Sequence, residues 1–258
     1  MIKVKCPAKI NLTLKVFKKD EITGFHPIKS IMQTVSLFDY LTFELTNSGK
    51  IELTGNNNEI EYNENNLIIK AALEFYKKAN QKPKGLKIYL EKNIPVAAGL
   101  AGGSTDAAGT IFALNYIYNN ILKKEDIVEI NSKLGSDINF CYFGGRALAE
   151  GKGDNLTPLE FEPFNLSIIK PKNLKISTKS AYEAFDNLKE ISNMKNDLEF
   201  ALISKYNELQ KLHNLGFQMS GSGPSFFILN KTVSENLKTS EYEVFENLKA
   251  IKSGVELI

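Results

Sequence analysis

The run IPVAAGLAGGSTDAA at residues 94–108 constrains this chain more than any other segment. It sits between an alternating stretch, Leu86 to Leu90, that reads as a strand and a helix-patterned stretch, STDAAGTIFALNYIY at 104–118. Gly99, Gly102 and Gly103 stand just ahead of that helix. Glycines let backbone N–H groups approach a phosphate without Cβ obstruction, and the unpaired N–H groups and positive dipole end of a helix favour an anion. A nucleotide triphosphate fits such a loop; a flexible strand-to-helix connection is the competing reading. The loop is not a Walker A motif, because no Lys precedes Ser104. It also lacks G-x-G-x-x-G, so a dinucleotide cofactor is not expected.

The surrounding pattern mixes strands and helices. Ile10, Leu12, Leu14 and Val16 alternate with polar residues as a half-buried strand does. Strand-like runs near 31–37, 41–46 and 51–54 follow and close on Gly55-Asn56-Asn57-Asn58, so the first quarter is expected to form a β-meander. Leu67, Ala71, Ala72 and Phe75 recur at helical spacing until Lys82-Pro83-Lys84-Gly85 breaks it. The 104–118 helix is expected to be buried and capped by its opening hydroxyl and acidic residues. A second helix is predicted from Lys124 to Leu134, ending at Gly135, with a strand near 146–149. Beyond Pro158 the pattern restarts, with a strand at 166–170 and helices near 178–188, 196–203 and 205–214. A strand, glycine turn and strand then span 216–229. Two domains, 1–155 and 156–258, are expected. The tail from Lys231 reads either as one amphipathic helix or as two short elements.

Composition excludes several classes of partner. With 43% hydrophobic and 24% charged residues among 258, the chain can bury a sizeable core. A net charge of +2, without a basic tract, gives no reason to expect nucleic acid or an anionic membrane. Cys6 and Cys141 lie in apolar stretches, far from a C-x-x-C spacing, and read as core thiols. The N-terminus has no uninterrupted apolar segment of the signal-peptide kind, and no apolar run approaches a bilayer span. The expectation is a cytoplasmic protein with a small-molecule partner and an oligomeric state that the sequence leaves open.

Three ordered motifs then carry a resemblance. P-x-x-x-G-L-x-G-G-S at Pro95 to Ser104 resembles the ATP-phosphate loop of the galactokinase, homoserine kinase, mevalonate kinase and phosphomevalonate kinase superfamily. PAKINL at 7–12 resembles its N-terminal motif, and MSGSGPSFF at 219–227 its C-terminal glycine motif. GFH at 24–26, LGSDINF at 134–140 and ALAEGKGD at 147–154 are similar to the branch that phosphorylates a cytidylated methylerythritol. The resemblance implies an α+β fold of two domains, a ribosomal-protein-S5-domain-2-like ATP-binding domain and a ferredoxin-like α/β domain, with the active site between them. Other kinases of the superfamily, a non-catalytic nucleotide sensor and a nucleic-acid-binding protein are the alternatives.

The same resemblance implies roles residue by residue. Lys9 would orient the acceptor hydroxyl and Asp137 would accept its proton. ATP would lie against Pro95, Val96, Ala97, Ala98, Gly99, Leu100, Ala101, Gly102, Gly103, Ser104 and Thr105, with Gly221 and Gly223 backing the loop and Asn66, Leu67 and Lys92 bordering the adenine. Asn11, Phe25, His26 and Tyr182 would hold the substrate, with Phe25 where a Tyr is common. Mg2+ is expected with the ATP, its ligands unassigned. After LGSD the family usually continues with Val-Pro, whereas this chain reads Ile138-Asn139.

Overall fold

A computed structural model of the chain describes residues 1–190 and 192–258. Its first sheet is built on two long antiparallel strands, β1 (Ile2–Val16) and β2 (Ile28–Leu45). Residues 6–11 of β1 are buried on both faces, because one face meets the core and the other the cleft described below. The runs near 31–37 and 41–46 are one strand, because Asp39 between them makes no turn and its side chain bonds Lys92 and the N–H groups of Asn93 and Ile94. Phe38, Asp39 and Tyr40 between them pair with β1, and the register shifts at Ser36 and Leu37, opposite Pro7 and Ala8.

The expected meander does not form. β3 (Ile51–Gly55) is separated from β2 by β4 (Leu86–Glu91), which pairs antiparallel with β2 and parallel with β3. The helix α1 (Leu67–Lys78) connects the two parallel strands, as a parallel pair requires. It starts where the Asn66 side chain accepts the Ile68 N–H, an N-cap worth about 1 kcal/mol. α2 (Gly102–Ile117) is buried almost all round and packs so closely on β1 that a Cβ on Gly109 would collide with Cys6 Sγ.

α3 (Lys124–Leu134) ends at Gly135, and a short α4 (Ile138–Phe143) follows. Sequence periodicity did not show α4, because INFCYF is rich in aromatic and β-branched residues that suit a strand equally well. Asn139, the departure from Val-Pro, donates from Nδ2 to Ser132 Oγ at 2.9 Å and so ties α4 to α3. β5 (Arg146–Gly151) pairs with the first half of β2, and β6 (Asn155–Pro158) pairs with β5.

The second sheet is antiparallel, with order β10-β7-β9-β8: β7 (Asn165–Pro171), β8 (Gln218–Met219), β9 (Phe226–Leu229) and β10 (Tyr242–Lys249). Helices α5 (Thr178–Asp186), α6 (Asp197–Ile203) and α7 (Asn207–Asn214) lie between β7 and β8 in sequence. The tail from Lys231 passes through a 3₁₀ turn at Glu235–Leu237 and β10, then returns as β11 (Glu256–Leu257) to the edge of the first sheet beside β1. β6 also belongs to that sheet, so strands from both sides of residue 156 build it. Ala8 and Ile10 of β1 pack in one cluster with Leu166 and Ile168 of β7 and Phe227 of β9, which brings the two sheets together beside the PAKINL segment. The architecture is α+β.

Candidate active site

The glycine loop sits at the floor of a cleft of about 610 Å³. Three of its residues have left-handed backbone, Ala97 at φ 50°, Gly99 at 73° and Ala101 at 58°. An alanine held there is strained by about 1–2 kcal/mol, a cost the loop shape imposes. The expected cap on α2 is absent: the helix starts at Gly102, its N-cap is Ala101, and no side chain bonds the first turn. Ser104 lies inside the helix instead of at its cap. The first-turn N–H groups are therefore left for something in the cleft, and Gly102, Gly103 and Ser104 line it.

Two other segments converge on this loop. Lys9 N–H donates to Leu100 O at 3.1 Å, and Ser225 N–H donates to Ala98 O at 3.3 Å. The Ser220 hydroxyl donates to Gly99 O at 3.0 Å and accepts from Asn11 N–H at 3.3 Å, stitching three motifs at one atom. A Cβ on Gly99 would collide with the Ser220 carbonyl oxygen. Gly221 and Gly223 line the cleft beside Gly99. Pro95, Val96, Ala97, Ala98 and Ala101 line it too, whereas Leu100 and Thr105 point into the protein and are buried. Those two close the loop from behind.

Lys9 and Asp137 meet across the cleft, with Nζ 3.4 Å from Oδ2. The Lys9 side chain is 5% exposed and that of Asp137 27%, so the carboxylate is the open partner. Lys9 also donates to Asn11 Oδ1 at 2.7 Å, and Asn11 Nδ2 donates to Ser30 Oγ at 2.7 Å. Asn11 thus aims the ammonium, and the Ser30 hydroxyl, which donates onward to Thr13 O, fixes Asn11. Ser30 was not visible beforehand as a site residue, because a serine alternating with apolar residues looks like ordinary strand.

Lys92 is a second buried lysine at the same loop, and its environment differs. Its ammonium bonds Asp39 and, at 2.8 Å, Asp106. Asp39 Oδ1 also accepts the N–H groups of Asn93 at 2.6 Å and Ile94 at 2.8 Å. Asp106 has no such help, and its Oδ1 is buried without a partner. Burial raises the Asp106 carboxyl to about 8, with Lys92 pulling it down and Asp39 pushing it up. Burial alone would lower Lys92, but Asp106 and Asp39 together hold it above the ordinary lysine value. Lys92, Asn66 and Leu67 all line the cleft, yet the Asn66 side chain is spent on the α1 cap.

The far wall carries the aromatic residues. Tyr182 on α5 lines the cleft. Phe25 and His26 do not: Phe25 is 55% exposed beneath the Lys152 ammonium, and His26 packs behind Tyr182, ring centroids 5.2 Å apart. The His26 ring is braced by Phe17 O at 2.9 Å, by Asp186 at 3.2 Å and by an edge contact with Phe185. Phe185 and Asp186 were missed, although both follow Tyr182 on the same helix within about one turn.

Residues 66–145 match the family described as GHMP kinases N terminal domain. A homoserine kinase from Cytophaga hutchinsonii shares the fold, with a TM-score of 0.72 at 17% identity, over 100% of this chain and 97% of that one. The fold is therefore the one that the GHMP kinases share. A 4-diphosphocytidyl-2-C-methyl-D-erythritol kinase from Thermoanaerobacter pseudethanolicus is 38% identical over 99% of this chain and 98% of its own length. One from Caldanaerobacter subterraneus is 36% identical over 100% and 99%. The crystal structure of a 4-(cytidine 5'-diphospho)-2C-methyl-D-erythritol kinase aligns with a TM-score of 0.77 at 28% identity, over 96% of this chain and 99% of that one. The chain belongs to the 4-diphosphocytidyl-2-C-methyl-D-erythritol kinase family.

Proposed function

We propose that this chain transfers the γ-phosphoryl group of ATP to the 2-hydroxyl of 4-(cytidine 5′-diphospho)-2-C-methyl-D-erythritol, in the non-mevalonate route to isoprenoid precursors. The observation that carries the proposal is the Lys9–Asp137 pair in the same cleft as an uncapped helix N-terminus. Phosphoryl transfer needs the phosphates held, the nucleophile aligned and the developing charge stabilised. The free N–H groups at Gly102, Gly103 and Ser104 hold phosphate oxygens. Asp137 accepts the hydroxyl proton, and Lys9, aimed by Asn11, stabilises negative charge as it builds.

Mg2+ would accompany the ATP; such an ion usually keeps waters and takes only one or two protein oxygens. The donor set fits that mode: Ser104 and Asp137 offer oxygens in the cleft, and no cluster of three metal-binding side chains occurs among the described residues. Bound there, the ion would neutralise phosphate charge.

Tyr182 supplies a stacking face for cytosine, with His26, Phe185 and Asp186 as its support. Turnover is to be compared with the cytidylated methylerythritol, mevalonate and homoserine as acceptors. The first alone should be phosphorylated efficiently, and preference for either other alcohol overturns the reading. A stacked base is worth about 1–3 kcal/mol, so Tyr182→Ala should raise KM for the cytidylated substrate roughly tenfold and leave KM for ATP unchanged. A raised KM for ATP instead would reassign that wall of the cleft.

A further inference from the structure

Behind the cleft, the segment Asn196-Asp197-Leu198-Glu199 places three polar side chains in the interior, at 0%, 6% and 2% exposure for Asn196, Asp197 and Glu199. Buried polar groups of this kind are costly unless fully bonded, so their partners reveal their task. Asn196 Oδ1 accepts the N–H groups of Leu198 at 3.0 Å and Glu199 at 3.3 Å, which caps α6. Its Nδ2 donates to Met219 O and to Gly221 O, each at 2.9 Å. All four bonds available to an asparagine amide are made, and turning the amide over would break every one.

Its neighbours pull on the same two segments. Asp197 accepts Val16 N–H at 2.9 Å and the Lys15 ammonium at 2.9 Å, and Leu14 N–H donates to Lys195 O at 2.7 Å. Glu199 Oε2 accepts Met219 N–H at 2.9 Å, and its Oε1 meets His213 Nδ1 at 2.8 Å. One side of this clamp is β1, which carries Lys9 and Asn11. The other is the loop whose Gly221 is so close that a Cβ there would stand 3.2 Å from Asn11 Oδ1, 3.4 Å from Lys9 Nζ and 3.0 Å from Gly99 O.

We infer that Asn196 is a positioning residue for phosphoryl transfer, whose hydrogen bonds to the Met219 and Gly221 carbonyls fix that turn against Lys9, Asn11 and the phosphate loop. It touches no reactant. The inference rests on the kinase reading above, which wild-type turnover tests separately: failure of the wild-type enzyme to phosphorylate the cytidylated alcohol sinks that reading, whereas the inference is judged on variants against an active wild type.

Asn196→Asp separates the two jobs of the side chain. An aspartate still caps α6 but has nothing to donate, and it sets a carboxylate against the Met219 and Gly221 carbonyls. Small displacements of a reacting constellation cost up to about 10²-fold, so kcat should fall about 10- to 100-fold. KM for ATP and for the alcohol should each stay within about threefold, the pattern of an interaction that matters in the transition state. In a Lys9→Ala background the same change should have little further effect on the residual rate, which a merely structural residue would not produce. Asn196→Ser, which caps without a charge, is assayed in parallel at a temperature where melts show it folded. Wild-type kcat in either folded variant overturns the proposal, as does an effect fully additive with Lys9→Ala. Failure of both variants to fold also overturns it, because Asn196 would then be a folding determinant.

Discussion

Two buried lysines meet aspartates at this cleft, and the same residue types do different things. Lys9 faces one carboxylate, Asp137, whose side chain is 27% exposed. Lys92 faces two, Asp39 and Asp106, at 0% and 4%. The first pair leaves its carboxylate open to the cleft. The second reaches the cleft wall almost fully buried, with Asp39 held by the Asn93 and Ile94 N–H groups on one oxygen and by Lys92 on the other, and the ammonium pressed beneath Gly102, where a Cβ would stand 2.7 Å from Nζ. On the proposed mechanism, openness of the carboxylate, more than the presence of a Lys–Asp pair, separates the reacting pair from a brace.

The largest expected effect tests the open pair. Asp137→Asn should lower kcat by about 10²-fold or more, the scale of a lost general base, with little change in melting temperature. Lys9→Ala should do comparable damage, and the double variant should fall far short of the product of the singles, because groups acting as a unit are non-additive. Steady-state kinetics on the three folded variants decide it. Near-wild-type turnover in Asp137→Asn would erase the distinction between the two lysines.

The closed cluster should respond the other way round. Lys92→Met leaves Asp39 and Asp106 buried without their cation, and removing one partner of a buried pair costs about 3–5 kcal/mol. Chemical denaturation near neutral pH should show a loss of about 3 kcal/mol, the low end, since Asp106 already carries a proton below about pH 8. The kcat of the folded fraction should drop far less than in Asp137→Asn. A variant that keeps its stability but loses turnover would make Lys92 a participant in the chemistry.

How much of this was legible beforehand depends on where the constraint lay. The glycine loop, the PAKINL strand and the MSGSG turn were readable because each imposes its own local pattern, and the structure brings all three within hydrogen-bond reach. The Lys9–Asp137 contact was legible only through family resemblance; nothing local in LGSD marks a side chain that meets one from β1. Asp39 and Ser30 stayed hidden because a polar residue in an apolar stretch looks the same whether it faces water or a buried partner, and Asn196 because in MKNDLE it reads as an ordinary exposed helix cap. Strand order failed for a related reason. Periodicity predicts faces, but it says nothing about β4 entering between β2 and β3.

The sharpest probe of the closed cluster is its response to pH. Asp106 keeps its proton up to about 8 in the folded chain, because burial disfavours its charge and the charge of neighbouring Asp39 pushes it further up. An unfolded aspartate titrates near 3.9. Between those values the native state binds more protons than the unfolded one, so this group's contribution to stability is fullest below the unfolded value and is lost as pH rises through the folded one. Lys92, raised above its usual value, keeps its own contribution throughout that window. Asp106→Asn retains an acceptor for the Lys92 ammonium and removes the titration. Measured as a difference from wild type, which cancels the other groups, its relative stability should increase steadily from pH 5 to pH 8. A flat difference across that range would mean that Asp106 is already ionised in the native state and that the cluster holds two carboxylates on one ammonium. The unpartnered Asp106 Oδ1 argues against that, since an ionised oxygen so buried would lack any donor to stabilise it.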